Sequence, residues 1–175
     1  MRLHLPASVL TVAFAATVAA CSSTGNGNTD VNTPSDPQAQ VLAVTPVGSP
    51  GQPLTASSGL TAAQRTVIRD EVAWRAAWVS IWQNLSPQPE LPAVDFAQEM
   101  IVVAALGERG SGGFSIVIDS ASRTPTGATV VVHVTSPGAN CMNTMAITAP
   151  VDVARVPRVT GTVTFRERTS VSDCR

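Results

Sequence analysis

Seven apolar residues in a row, Met100 to Leu106 in "EMIVVAAL", constrain this chain more than any other stretch. A strand with one wet face alternates apolar and polar side chains, because successive Cβ atoms point to opposite faces. A run without alternation reads as a strand covered on both faces. Four further strands are expected in more usual patterns: "GFSIVID" alternates, "ATVVVHVT" is rich in β-branched residues, and "TMAITAPVDVARV" and "RVTGTVTFRER" follow.

One helix precedes them. In "RDEVAWRAAWVSIWQNL", Trp74, Trp78, Ile81, Trp82 and Leu85 fall on a single stripe at helical spacing. Asp70 is placed to cap the first turn, with Glu71 where the helix dipole favours an acid. The helix must stop by Pro87. The stripe carries every tryptophan of the chain, and its expected place is the core. An exposed aromatic face for sugar or peptide would need those rings in solvent, which is costly in a domain with few other large apolar residues. Helix then strands gives the expected fold: an α+β domain, one amphipathic helix packed on a mainly antiparallel sheet of about five strands.

Between the first two strands lies "GERGSGG", residues 107–113. A phosphate cradle requires a helix behind the glycines and a lysine; a strand follows here, and the chain has no lysine. The same strand rules out a dinucleotide fingerprint. The expected form is a hairpin connection. Its four glycines exceed what one tight turn needs. The surplus would let the main chain pass close to another segment, such as "PGANCMN", or to a partner. Arg109, Ser111, Gly112 and Gly113 are therefore the candidate partner-binding loop, with the planar guanidinium of Arg109 suited to a carboxylate or carbonyl.

The first twenty residues read as an export signal, positively charged at Arg2 and then uncharged and apolar to Ala20. Small residues before Cys21 resemble a bacterial lipobox, which makes Cys21 the expected lipidation site and the membrane a partner through acyl chains, each buried methylene contributing about 0.8 kcal/mol. Residues 21–55 are rich in Ser, Thr, Asn, Gly and Pro and read as a tether; residues 56–175 are the expected domain. The expected place is the bacterial cell envelope, at the outer membrane if the host is Gram-negative, because Ser22 lacks the aspartate that marks inner-membrane retention. In an oxidising compartment Cys141 and Cys174 are expected to pair. That bridge closes a loop of about 33 residues and contributes about 3–4 kcal/mol in the chain-entropy description.

Chemistry does not gather in the sequence. A net charge of −1 gives no field for nucleic acid. His133, the one histidine after the leader, reads as a surface or boundary residue of its strand rather than a general base. One histidine and two distant cysteines make a poor metal set. Asp95, Glu99, Glu108 and Asp119 are scattered. No catalytic residue, metal or cofactor is expected, and the chain is not expected to be an enzyme.

The order "VIRDEVAWRAAW", "PAVDF", "MIVVAALGERGSGGFSIVI", "TAPVDVARVPR" and "VTF" resembles the C-terminal domain of PrcB-type protease complex subunits, over about residues 58–175. The shared pattern is Asp95-Phe96, an apolar strand, and Gly107-x-Arg109-x-x-Gly112-Gly113 before Phe114. The resemblance implies an exported, often lipid-anchored, non-catalytic accessory domain with a protein partner, a protease or another envelope protein. A protease-inhibitor-like or sugar-binding envelope domain is the alternative.

Overall fold

A computed structural model describes residues 40–174. The leader at 1–20, Cys21 and the first part of the expected tether lie outside the described residues. The elements are β1 (Gln40–Leu42), β2 (Thr45–Pro46), β3 (Gln64–Ile68), α1 (Glu71–Ile81), β4 (Glu99–Ala105), β5 (Ser115–Thr124), β6 (Gly127–Pro137), β7 (Val151–Pro157) and β8 (Thr162–Ser172).

The strands form two four-stranded sheets, β1-β5-β6-β8 and β2-β7-β4-β3. All neighbours are antiparallel except β6 and β8, which run parallel over their full length. The expectation of one sheet of about five strands is thus corrected: eight strands form two sheets, with the helix on the outside of the second. The unforeseen β1, β2 and β3 have three, two and five residues at sheet edges. They are held by ladder bonds to longer strands, so their own sequences carry little periodic signal.

The two-sided burial expected of β4 is present. Met100, Val102 and Ala104 pack between the sheets, against Ile116, Ile118, Val130 and Val132 of the first sheet. Ile101, Val103 and Ala105 pack on the other side, against Trp74, Trp78 and Ile81 of the helix. The described molecule is therefore layered sheet, sheet, helix. Before β4, Asp95 closes a turn: its Oδ1 accepts from the Ala97 amide at 2.9 Å and its carbonyl from the Glu99 amide at 2.8 Å.

Asp70 caps α1 as expected, its Oδ1 accepting from the Ala73 amide at 2.8 Å. The helix ends at Ile81, so Leu85 leaves the stripe and is exposed, while Trp74 and Trp78 are buried and Trp82 is half-buried. The Pro-rich connection after the helix has a specific role. The indole N–H groups of Trp74 and Trp78 donate to the carbonyls of Pro92 and Pro89, both at 3.0 Å. A chain with little propensity for regular structure thus satisfies donors that a dry core would otherwise leave unpaired.

The expected boundary at residue 55 is also corrected. Leu42 is buried between the sheets, Val47 and Leu54 pack on the helix side, and the Val47 amide donates to the Val153 carbonyl at 2.9 Å. Backbone pairing to strands already present orders a segment whose composition alone would not.

Trp78→Ala should lower the unfolding free energy by about 3–5 kcal/mol, as for a large aromatic removed from a packed interior. Urea denaturation checks this. A loss below about 0.5 kcal/mol, the range of surface changes, would contradict the packing described.

Candidate functional site

The glycine loop is not a hairpin. β4 lies in the second sheet and β5 in the first, so residues 106–114 carry the chain across the end of the sandwich. The segment after β6 makes the opposite crossing, from the first sheet back to β7 in the second. The two crossings lie against each other. Arg109 and Thr148 exchange backbone hydrogen bonds of 2.7 and 3.0 Å, and the Gly112 amide donates to the Thr144 carbonyl at 2.9 Å. The Thr148 hydroxyl donates to the Ser111 carbonyl at 2.9 Å.

The glycines serve this close approach. Gly113 has φ +86°, and a side-chain carbon there would strike Asn143 Oδ1 and come within 2.9 Å of Pro137 Cβ. Asn143 and Pro137 flank the "PGANCMN" turn, the segment the surplus of glycine anticipated. Gly107, at φ +72°, leaves only 2.6 Å between such a carbon and the Ala63 amide nitrogen. Neither conformation suits a residue with a Cβ.

The second crossing is anchored again at its start. Cys141 and Cys174 form a disulfide, Cα atoms 5.0 Å apart. The Gly138 amide donates to the Ser172 carbonyl at 3.0 Å, so the end of β8 and the start of the crossing are tied by backbone and by sulfur. Arg109, Ser111, Gly112 and Gly113, the candidate partner-binding loop, lie on the first crossing. Arg109 is half-buried; its guanidinium carbon lies 5.8 Å from the Phe114 ring centroid, and Nη1 donates to its neighbour Glu108's carbonyl at 3.3 Å. The Ser111 hydroxyl bonds locally, donating to the Gly112 carbonyl at 3.2 Å.

The remaining candidates lie apart from this end or in the core. His133 is half-buried on the outer face of the first sheet, with Nε2 2.9 Å from Ser170 Oγ. Thr135 shares the same hydroxyl at 3.2 Å. No group of three or more His, Cys, Asp or Glu side chains is close enough to hold a metal ion among the described residues.

One residue escaped the sequence reading. Asp152 sits in β7 within the apolar "APVDVARV", and its side chain is 2% exposed between the sheets. Its Oδ2 accepts from the Ile118 amide at 2.7 Å, at the point where a bulge interrupts the β5–β6 register, while Oδ1 has no partner among the described residues. Burial raises its pKa from 3.8 to about 6, against the opposing pull of the Ile118, Val153 and Leu54 amides. The signal for it was a lone acid breaking an apolar strand; its partner, 34 residues away, could not be read from spacing.

Residues 100–157 match the family model described as PrcB C-terminal. That span runs from β4 through both crossings to the end of β7, and so contains Arg109, Gly113, Cys141 and Asp152. No curated protein and no solved structure matches the chain.

Two outcomes follow from this geometry. Gly113→Val should lower the melting temperature through the backbone strain and the clash with Asn143, and thermal unfolding measures it; an unchanged value would remove the need for glycine there. Folding favours the neutral form of Asp152 more than the unfolded chain does, so its contribution is full below about pH 4 and is lost as pH rises through about 6, a change of about 3 kcal/mol. The stability difference between the native chain and Asp152→Asn, measured by urea at pH 4 and pH 7, should shift by about that amount against the native chain. A constant difference would mean that Asp152 titrates as an ordinary acid.

Proposed function

We propose, from the PrcB C-terminal match at residues 100–157, that this chain is a lipid-anchored, non-catalytic accessory module of the bacterial cell envelope that binds a protein partner, such as a surface protease. The match carries the reading, and the matched segment includes both crossings of the clamped sandwich end, while Ser172 and Cys174, which tie the second crossing, lie beyond it. A binding surface gains from such clamping, because a backbone already fixed by hydrogen bonds loses little conformational freedom when a partner docks.

The chemistry of the site supports recognition rather than turnover. Arg109 lies over Phe114 and, among the described residues, directs one guanidinium nitrogen to a protein acceptor, leaving donors for a carboxylate or carbonyl of a partner. Sugar binding loses its aromatic platform, since Trp74 and Trp78 are buried and their indole N–H groups are occupied.

The anchor and the contact are tested separately. Cys21→Ala should leave the precursor uncut or move the protein out of the membrane fraction; unchanged mass and membrane retention would sink the anchor. Arg109→Ala should leave the melting temperature within about 2 °C, as for a surface change, while weakening crosslinking to the partner on intact cells. If it destabilises as much as Gly113→Val does, Arg109 is an internal brace and not a contact.

A further inference from the structure

Half of the large apolar side chains exposed among the described residues gather at the clamped end of the sandwich. Met142, Met145, Ile147 and Val171 are 101, 92, 71 and 68% exposed. The first three lie on the crossing between β6 and β7, and Val171 pairs with Ser136 near the end of β6. Their side chains are free, but their backbone is not. The Cys141 disulfide, the Gly112–Thr144 hydrogen bond and the Arg109–Thr148 pair hold it at three places. Exposed apolar groups on a fixed backbone are what a docking surface needs, and methionine adapts to irregular apolar pockets.

We infer that this apolar tip inserts into a hydrophobic groove on a second protein, and not into the bilayer. The inference rests on the accessory-module reading and names its contact surface. Two observations choose the occupant. First, the described chain begins at Gln40, which pairs with Arg123 beside the β5–β6 turn. That turn is at the other end of β6, and ten residue steps separate the ends, roughly 33 Å. The segment that includes Cys21 therefore joins the domain at the end remote from the tip. Second, among the described residues the charged side chains on the segments that form the tip are Arg109, Glu108 and Asp173, a set that gives no cationic rim to hold acidic lipid headgroups.

The test uses the full chain in its native cells, with a photo-crosslinking amino acid at position 145 or 147, at Val72 on the exposed face of α1, or at Thr126 in the β5–β6 turn. Positions 145 and 147 should give one discrete protein adduct that Thr126 does not. That protein, identified by mass spectrometry and purified, should bind the chain with an affinity at least tenfold weaker for Met145→Asp, whose melting temperature should be unchanged. Four results overturn the inference. Self-adducts would assign the tip to a second copy. Binding of the Cys21→Ala chain to phosphatidylethanolamine–phosphatidylglycerol vesicles, lost on Met145→Asp, would assign it to the bilayer. Adducts from Val72 alone would move the contact to the helix and leave the accessory reading standing. Adducts from no position would remove both.

Discussion

The two-sided burial of β4 is the constraint on which the rest depends. An apolar strand that shows the same character on both faces cannot lie on a surface; it needs an apolar layer above and below. Met100, Val102 and Ala104 are met by the first sheet, and Ile101, Val103 and Ala105 by the tryptophan face of α1. β3 and β7 satisfy its backbone on either side. Because the next strand belongs to the other sheet, the chain must leave β4 across the end of the sandwich. The glycine loop, its close approach to residues 143–148 and the exposed tip all follow from that crossing.

The parts legible in the sequence were those whose physics is local. The cap at Asp70 and the core stripe of α1 needed only a few neighbouring residues, and the lack of alternation in "EMIVVAAL" announced its two covered faces. Leu85 failed because a stripe does not say where its helix stops. The hairpin reading of 107–113 failed for a different reason. Glycines report that the backbone takes an unusual course, but not whether the strands on either side are partners. The surplus of glycine did carry the right hint, contact with the turn that holds Asn143.

What sequence could not show was set at long range. β1 and β2 exist because β5 and β7 offer unpaired edges, not because "QVL" or "TP" favours a strand. Asp152 acquires its environment from Ile118 and from a bulge in another sheet. A buried acid with one oxygen bonded and the other bare is an expensive element of an apolar interior. It ties the two sheets at the point where the β5–β6 ladder is interrupted.

The parallel pairing of β6 and β8 decides how this domain would carry force. Because the two strands run the same way, β8 finishes beside the end of β6, at the tip, while Gln40 enters at the opposite end. A pull between these ends acts along the strands. It loads the ladders in shear, and it reaches the eleven-residue β6–β8 ladder only after passing through the short pairings of β1 and β2. At the other end, β1 grips the first sheet and β2 the second within seven residues of chain, and the load divides between both sheets. Along the line from the start of the described chain to the exposed apolar tip, these short edge ladders, of three and two residue pairs, are the ones that yield first.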